Sequence, residues 1–162
     1  MKVSYCIPTH DGNAKCQQYL FDIFFALEHQ TNKNFNVWIS DHSKSNKILK
    51  ACEEYADLFE INYVKNDSSL GNISSNTNNA MLCADGDILK ILFSDDIILT
   101  KNLTEELDRA FTKGVKWAVT GFAHTIDDGR SHYNPKLPVY NDRLLEGVNT
   151  LSSPSILAVR KD

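Results

Sequence analysis

Three short polar groups in the sequence carry side chains suited to binding a charged ligand. They are Thr9-His10-Asp11, Asp41-His42-Ser43 and Ser94-Asp95-Asp96, and each directly follows an apolar run. Two adjacent carboxylates need a positive counter-charge, and carboxylate oxygens are ligands that hard divalent cations such as Mn²⁺ and Mg²⁺ prefer. Taken singly, each group is typical of a capped turn. Taken together, they predict a metal that is held by acids and binds a phosphorylated ligand.

The apolar runs before these groups are predicted strands that alternate with helices. We expect strands at residues 3–7, 35–40, 61–64, 88–93 and 117–122, and a last pair at 148–151 and 156–159. Such alternation of continuous apolar strands with helices predicts one α/β domain with a mainly parallel sheet and helices on both faces. In open α/β sheets, ligands bind outside the carboxyl ends of the strands. The three polar groups all fall at such ends.

Apolar residues at helical spacing predict the helices between these strands. The clearest sets are Cys16, Leu20, Ile23, Phe24, Leu27 and Ile48, Cys52, Tyr55, Phe59. Ser45 is a candidate N-cap of the second helix, and Asn102 with Glu105 has the spacing of a capping box before a later helix. Trp117 and Phe122 are interpreted as core residues.

The composition excludes several classes of protein. The chain has 162 residues, of which 42% are hydrophobic and 23% are charged, as in ordinary folded domains. Its net charge of −4 and the lack of a basic stripe predict no nucleic-acid partner. The four cysteines lack CxxC spacing, and neither a signal peptide nor an apolar run of membrane-spanning length is present. We therefore expect reduced thiols, no membrane span and a cytoplasmic location.

The common signatures of other α/β enzymes are missing from the sequence. It contains no GxxxxGK[ST] loop and no GxGxxG after the first strand, where Pro8-Thr9-His10-Asp11-Gly12 stands instead. It also contains no GxSxG elbow and no HExxH helix. These absences argue against a P-loop NTPase, a dinucleotide dehydrogenase, an α/β-hydrolase and a zinc peptidase.

The polar groups and their order resemble the opening of a family 2 glycosyltransferase with the GT-A fold. The resemblance is carried by the segments Ile7-Pro8-Thr9-His10-Asp11, Ile39-Ser40-Asp41-His42-Ser43, residues 71–78 and 84–88, and Ile91-Leu92-Phe93-Ser94-Asp95-Asp96, and it partly returns at residues 147–155. It implies a GT-A-like, Rossmann-like sheet, with a nucleotide-sugar-binding half at residues 1–100 and a reduced acceptor-side half at residues 115–162. It also implies transfer of a sugar from a UDP-sugar to a saccharide or other hydroxyl acceptor, with inversion and with Mn²⁺ or Mg²⁺.

The resemblance also implies roles for single residues. Pro8, Thr9 and His10 would line the pocket of the base, and Asp41 would bond the pyrimidine ring. Asp95 matches the acid that contacts the ribose, and Asp96 matches the acid that holds the metal bridging the diphosphate. Asp96 and Asp95 are therefore the predicted metal ligands.

The sequence departs from the family pattern in three places. Ser94 stands where the acidic signature usually begins with Asp, and Thr77 stands where Arg is frequent. The family's general base lies downstream of the region that residues 147–159 resemble, and the sequence given ends at residue 162. Candidate substitutes for the base are Glu146, Asp127, Asp128 and His124.

These departures leave other functions open. One alternative is a non-catalytic module that binds nucleotide sugars, or a fragment completed by another chain. A nucleotidyltransferase is a further class, but it needs a glycine-rich basic loop after the first strand, which Thr9-His10-Asp11-Gly12-Asn13 does not supply.

Overall fold

The computed structural model describes residues 1–68, 72–126, 131–132, 134, 136–138 and 153–161. The elements of the main sheet, in chain order, are strands β1 (Val3–Thr9), β2 (Phe35–Asp41), β3 (Ile61–Lys65), β4 (Ile88–Ile91), β5 (Trp117–Val119) and β8 (Leu157–Arg160). A separate hairpin consists of β6 (Thr125–Ile126) and β7 (Ser131–His132). The helices are α1 (Cys16–Glu28), α2 (Lys47–Glu53), α3 (Ile73–Cys83) and α4 (Leu103–Thr112).

The main sheet has six strands in the order β3-β2-β1-β4-β8-β5. Strand β1 pairs in parallel with β2 on one side and with β4 on the other, and β2 pairs in parallel with β3. Only β8 runs the other way, antiparallel to both β4 and β5. The predicted single α/β domain with a mainly parallel sheet is confirmed. The carboxyl ends of β1, β2 and β4 consequently meet at one edge of the sheet.

Helices cover both faces of the sheet, as predicted. The predicted stripe of α1 is fully or almost fully buried, and together with buried residues of α2 and α4 it packs on Val3, Tyr5 and Ile7 of β1. Helix α3 covers the opposite face, where Ala80 packs with Cys6 and Leu89. Within the described parts of the chain, none of the helices is both long and apolar enough to cross a membrane.

The two predicted helix caps are confirmed only in part, because the side chains of Ser45 and Glu105 bond to residues that are distant in sequence. Asn102 is the N-cap of α4 but its side chain makes no capping bond, and Glu105 accepts from the Thr31 hydroxyl at 3.1 Å. Asn46, not Ser45, is the N-cap of α2, and the Ser45 hydroxyl donates to Asp11. A local spacing rule cannot anticipate a partner that is distant in sequence.

The carboxyl-terminal third differs most from the prediction. The fifth strand ends at Val119 rather than at residue 122, and β6 and β7 lie where no strand was predicted. Trp117 is 52% exposed because β5 is the edge strand of the sheet, so its interpretation as a core residue is wrong. The predicted strand at residues 148–151 lies outside the described residues.

The four cysteines are free thiols, as predicted. Cys6, Cys16 and Cys52 are buried, and Cys83 is partly exposed. Burial raises the pKa of Cys6 and of Cys52 to about 12, because the thiolate would be poorly solvated in the core. These two therefore act as small apolar core residues.

Candidate functional site

The site is built at the edge where β1, β2 and β4 end. The β1 residue Thr9 pairs with Asp41 in the register of the sheet, and its carbonyl accepts the amide of His42 at 3.0 Å. On the other side, the amide of Leu92 donates to the Cys6 carbonyl at 3.0 Å, which continues the β1-β4 pairing toward the acids at 95 and 96. All three predicted polar groups therefore leave the sheet at the same edge.

Asp41 is a buried carboxylate that ties this edge together. One oxygen accepts the Ser43 amide at 2.7 Å, and the other accepts the Tyr63 hydroxyl at 2.6 Å and the Lys65 ammonium at 3.2 Å. Burial and the adjacent Asp41 together raise the pKa of Tyr63, so that it remains a neutral donor. The sequence analysis did not identify Tyr63 and Lys65, although their spacing of two residues on β3 places both on the face that meets Asp41.

Two hydroxyl groups next to Asp41 are buried without a partner. Thr9 Oγ1 and Ser43 Oγ make no hydrogen bond to any of the described residues. Leaving a buried donor or acceptor unpaired costs about 1–3 kcal/mol, so most buried polar groups are paired. Two such hydroxyls, at the ends of adjacent strands, mark a place where a polar ligand can supply the missing hydrogen bonds.

A buried amide network holds α3 against the same edge. Asn76 is 2% exposed, donates to the Thr9 carbonyl at 3.0 Å, and accepts from Ser40 at 2.6 Å and from Asn66 at 3.1 Å. Asn79, one turn further along α3, donates to the Ser40 hydroxyl at 2.9 Å. The polar first half of α3 therefore fixes the position of Thr9.

Asp95 and Asp96 lie in a turn directly after β4. The turn is closed by a 3.0 Å hydrogen bond from the Asp96 amide to the Phe93 carbonyl. Asp95 is exposed and Asp96 is partly exposed, and one Asp96 oxygen accepts the Ser153 hydroxyl at 2.9 Å. The two carboxylates thus face solvent, where a ligand can reach them.

The acids fit a divalent cation only together with a phosphorylated ligand. Among the described residues no group of three or more His, Cys, Asp or Glu side chains could hold a metal. Mg²⁺, however, is usually bound through one or two carboxylates plus substrate phosphates and water. The donor set of Asp95 and Asp96 matches that second arrangement.

Lys90 is a buried lysine within the apolar strand β4. Its residue is 2% exposed, and its Nζ donates to the Ser155 carbonyl. Desolvation lowers the pKa of Lys90 to about 7, and the charge of Asp96 opposes that shift.

The predicted base-pocket residues differ in exposure. Pro8 and Thr9 are buried within β1, whereas His10 is exposed directly after it. His10 Nδ1 accepts the Gly12 amide at 2.9 Å, which folds its ring over the turn. His10 is therefore the member of this group that presents a ring to solvent.

Of the four candidate bases, the structure describes only His124. Asp127, Asp128 and Glu146 lie outside the described residues. His124 is described, and its ring contacts Phe122 edge-on at 5.6 Å between centroids. These two rings help to line a cavity of about 230 Å³, together with Ala123, Asn134 and Lys136. Because β5 is parallel to β4, this cavity lies beyond the same edge of the sheet as Asp95 and Asp96.

A second group of acids lies at the opposite edge of the sheet. Lys2 Nζ pairs with Glu60 at 3.1 Å and Asp85 at 3.4 Å, and its amide donates to Asp87 at 2.8 Å. A hydrogen bond from Asn36 is the largest cause of the lowered pKa of Asp85. These acids have partners within the protein, and their role is to join the amino ends of the strands.

The family of the chain follows from its sequence profile. The profile described as Glycosyl transferase family 2 matches residues 4–156. The match covers most of the chain, so the chain belongs to this family. A sequence search of curated proteins finds no match.

Solved structures show the same fold. The structure of S. aureus TarS 1-349 in complex with UDP superposes with a TM-score of 0.74 at 19% identity, over 99% of this chain and 47% of that one. TarS 1-349 without UDP gives 0.70 at 17% identity, with the same coverage. The mannosyltransferase PcManGT from Pyrobaculum calidifontis, in complex with GDP-Man and Mn²⁺, gives 0.56 at 16% identity, over 75% of this chain and 36% of that one. The chain is therefore GT-A-like in fold and spans about half the length of TarS 1-349.

Replacing Lys90 is expected to change how stability depends on pH. The ordinary lysine pKa is 10.5 and that of buried Lys90 is about 7, so between these values the unfolded chain binds a proton that the folded protein lacks. Stability contributed by this group is therefore lowest below pH 7 and rises with pH up to about 10.5. The wild type should gain stability relative to Lys90→Met over that window in urea denaturation at pH 6, 7.5 and 9. Parallel pH curves for the two proteins would contradict the burial of a titrating amine.

Proposed function

We propose that this chain binds a UDP-sugar at the edge formed by β1, β2 and β4 and transfers the sugar to a hydroxyl of a saccharide or other acceptor. The observation that carries the proposal is the convergence of two kinds of group at that edge. Thr9 and Ser43 offer buried unpaired hydroxyls, and Asp95 and Asp96 offer accessible carboxylates. The first pair suits the polar edge of a nucleoside, and the second suits a diphosphate with a cation.

Asp96 and Asp95 are the residues proposed to hold Mn²⁺ or Mg²⁺. Asp95 is also proposed to contact the ribose. When bound, the cation would supply Lewis-acid charge that neutralises the leaving diphosphate. The chain's own contribution is to present both carboxylates on a closed turn at the end of a buried strand. The Mn²⁺ and GDP-Man named for PcManGT support this assignment.

Pro8, Thr9, His10 and Asp41 are proposed to form the pocket of the base. A UDP-sugar is favoured as the sugar donor because TarS 1-349, which has the same fold, forms complexes with UDP and with UDP-GlcNAc. Asp41 is fully buried and accepts three hydrogen bonds from the protein, so its proposed part is to hold the ends of β2 and β3 in place beside the base.

In the proposed transfer, the acceptor oxygen forms a bond to the anomeric carbon while the bond from that carbon to the diphosphate breaks. Attack from the side opposite the leaving group inverts the anomeric centre. The acceptor proton passes to a general base, for which Glu146, Asp127 and Asp128 are the candidates. Such a base typically contributes about 10²–10⁴-fold to the rate.

A non-catalytic module that binds nucleotide sugars is the second candidate. The two candidates differ in turnover. A transferase releases UDP from a bound UDP-sugar, by transfer or by slow hydrolysis, whereas a binding module returns the donor intact.

Asp96→Ala is expected to abolish the Mn²⁺-dependent part of UDP binding and to leave the fold intact. The carboxylate lies on an accessible turn, so its removal costs little stability, while the diphosphate loses the cation that neutralises it. Isothermal titration of UDP with Mn²⁺ and with EDTA measures the difference directly.

Asp85→Ala is the matched control, because it removes a carboxylate from the opposite edge of the sheet. It should keep the wild-type dependence on Mn²⁺. If Asp96→Ala binds UDP with the same Mn²⁺ dependence as wild type, the proposed metal site is wrong.

Thr9→Val and Ser43→Ala are expected to weaken UDP binding without destabilising the free protein. Each removes an unpaired buried hydroxyl, and replacement by an apolar group of similar shape is then neutral or stabilising. A hydrogen bond to UDP is worth about 0.5–1.5 kcal/mol net, which corresponds to a loss of about 2- to 10-fold in affinity.

Thermal unfolding of the free variants and UDP titration with Mn²⁺ give the two quantities separately. Thr104→Val is the control, because its buried hydroxyl is paired with Tyr5 and Gln30 and lies away from the site. It should lower stability and leave UDP affinity unchanged. A loss of stability in Thr9→Val and Ser43→Ala with unchanged UDP affinity would show that these hydroxyls have partners within the protein.

A further inference from the structure

Lys90 is a buried amine that the proposed transfer does not use. It lies in the centre of β4, paired with Tyr5 of β1 and Ala158 of β8, and is almost completely excluded from solvent. Burial of a lysine is costly, since the ammonium loses its hydration, and the lowered pKa reflects that cost. A leucine or methionine would fill such a position without this penalty, so the amine must contribute something else.

The amine begins a path of hydrogen bonds that ends on a proposed metal ligand. Lys90 Nζ donates to the carbonyl of Ser155, and the hydroxyl of Ser155 accepts the Phe93 amide at 2.7 Å. The Ser155 amide donates to the Ser153 hydroxyl at 3.2 Å, and that hydroxyl donates to Asp96 Oδ2 at 2.9 Å. Three of these four bonds join β4 and the turn after it to the turn formed by residues 153–155, and the fourth, from Ser155 to Ser153, lies within that turn.

The topology explains why this turn needs an anchor. Residues 153–155 precede β8, which is antiparallel to β4, so the turn lies over the end of β4 from which the acids emerge. The segment holds a single turn of 3-10 helix at Pro154–Ile156, and such turns have weaker hydrogen-bond geometry than α-helices. A bond from the interior of the sheet fixes the turn more firmly than a bond from a surface side chain.

We propose that Lys90 is a positioning residue, which anchors the turn of residues 153–155 so that Ser153 holds the Asp96 carboxylate in the orientation needed to bind the metal with the diphosphate. The inference rests on the proposed function of that site. It does not depend on the charge of Lys90, because an amine donates to a carbonyl in either protonation state. Groups that orient metal ligands in this way typically change metal affinity by 10- to 100-fold when removed.

The test compares Lys90→Met, which keeps the apolar stem and removes the amine, with wild type. Mn²⁺ is titrated at a fixed concentration of UDP, and UDP is titrated separately in EDTA. The inference predicts that Lys90→Met raises the half-saturating Mn²⁺ concentration about tenfold or more and leaves UDP binding in EDTA within about twofold of wild type. A purely structural role would weaken both by the same factor.

Leu89→Ala is the matched control for general destabilisation. Leu89 is the neighbouring residue in β4, but it packs on the opposite face of the sheet with Cys6 and Ala80. Its truncation should lower the midpoint of urea denaturation and leave the half-saturating Mn²⁺ concentration unchanged.

Ser153→Ala tests the other end of the path without disturbing the core. It should raise the half-saturating Mn²⁺ concentration, and its effect should not add to that of Lys90→Met, since both changes interrupt one path. Hydrogen exchange of the Phe93 amide in metal-free protein provides a readout that needs no ligand. Lys90→Met should accelerate this exchange, because Ser155 is then less firmly held.

The outcomes separate this inference from the proposed function. Wild-type protein that fails to bind UDP with either cation refutes the proposed function, and the exchange of the Phe93 amide then decides whether Lys90 anchors the turn. Wild-type UDP binding that Mn²⁺ strengthens, together with an unchanged Mn²⁺ midpoint in folded Lys90→Met, overturns the inference. If Lys90→Met does not fold, an unchanged midpoint in Ser153→Ala overturns it instead.

Discussion

The parallel pairing of β1 with both β2 and β4 is the constraint on which the site depends. In the register of the sheet, Thr9 lies opposite Asp41 and Cys6 lies opposite Ile91, so the three chain segments leave the sheet at one edge. Parallel strands need long crossover connections, and α1, α2 and α3 supply them while burying both faces. Thr9 and Asp96 are thus more than 80 residues apart in sequence and yet lie at the same edge of the sheet.

The acids around the sheet differ in burial and in hydrogen bonding, and their neighbours determine the difference. Asp41 is enclosed by donors and holds the ends of β2 and β3 together, while Asp85 is engaged by Lys2 and Asn36 at the other edge. Asp95 and Asp96 instead remain accessible on a turn. Among the described residues, Ser153 is the hydrogen-bond partner of the Asp96 carboxylate. Buried and paired acids stabilise a fold, and accessible adjacent acids are suited to binding a cation.

The sheet, the helices and the placement of the acids could be predicted because they follow from local patterns. Apolar periodicity identified every strand that borders the site, and a strand followed by Ser94-Asp95-Asp96 needs no tertiary information to be recognised. The role of Asn76, the anchoring of residues 153–155 by Lys90 and the exposure of Trp117 depend on contacts between distant segments. A lysine within an apolar run shows in the sequence that something unusual is buried, but its partner at Ser155 is visible only in the folded chain.

The central claim is that a nucleoside diphosphate and its cation bind at the carboxyl edge of the sheet. Paramagnetic broadening by Mn²⁺ in the presence of UDP tests this most directly, since amide signals in NMR spectra are broadened according to their distance from the ion. Broadening should centre on Asp95 and Asp96, extend to Thr9, and spare Glu60 and Asp85 at the opposite edge. Broadening centred on Glu60 and Asp85, or broadening that is the same with and without UDP, would contradict the claim.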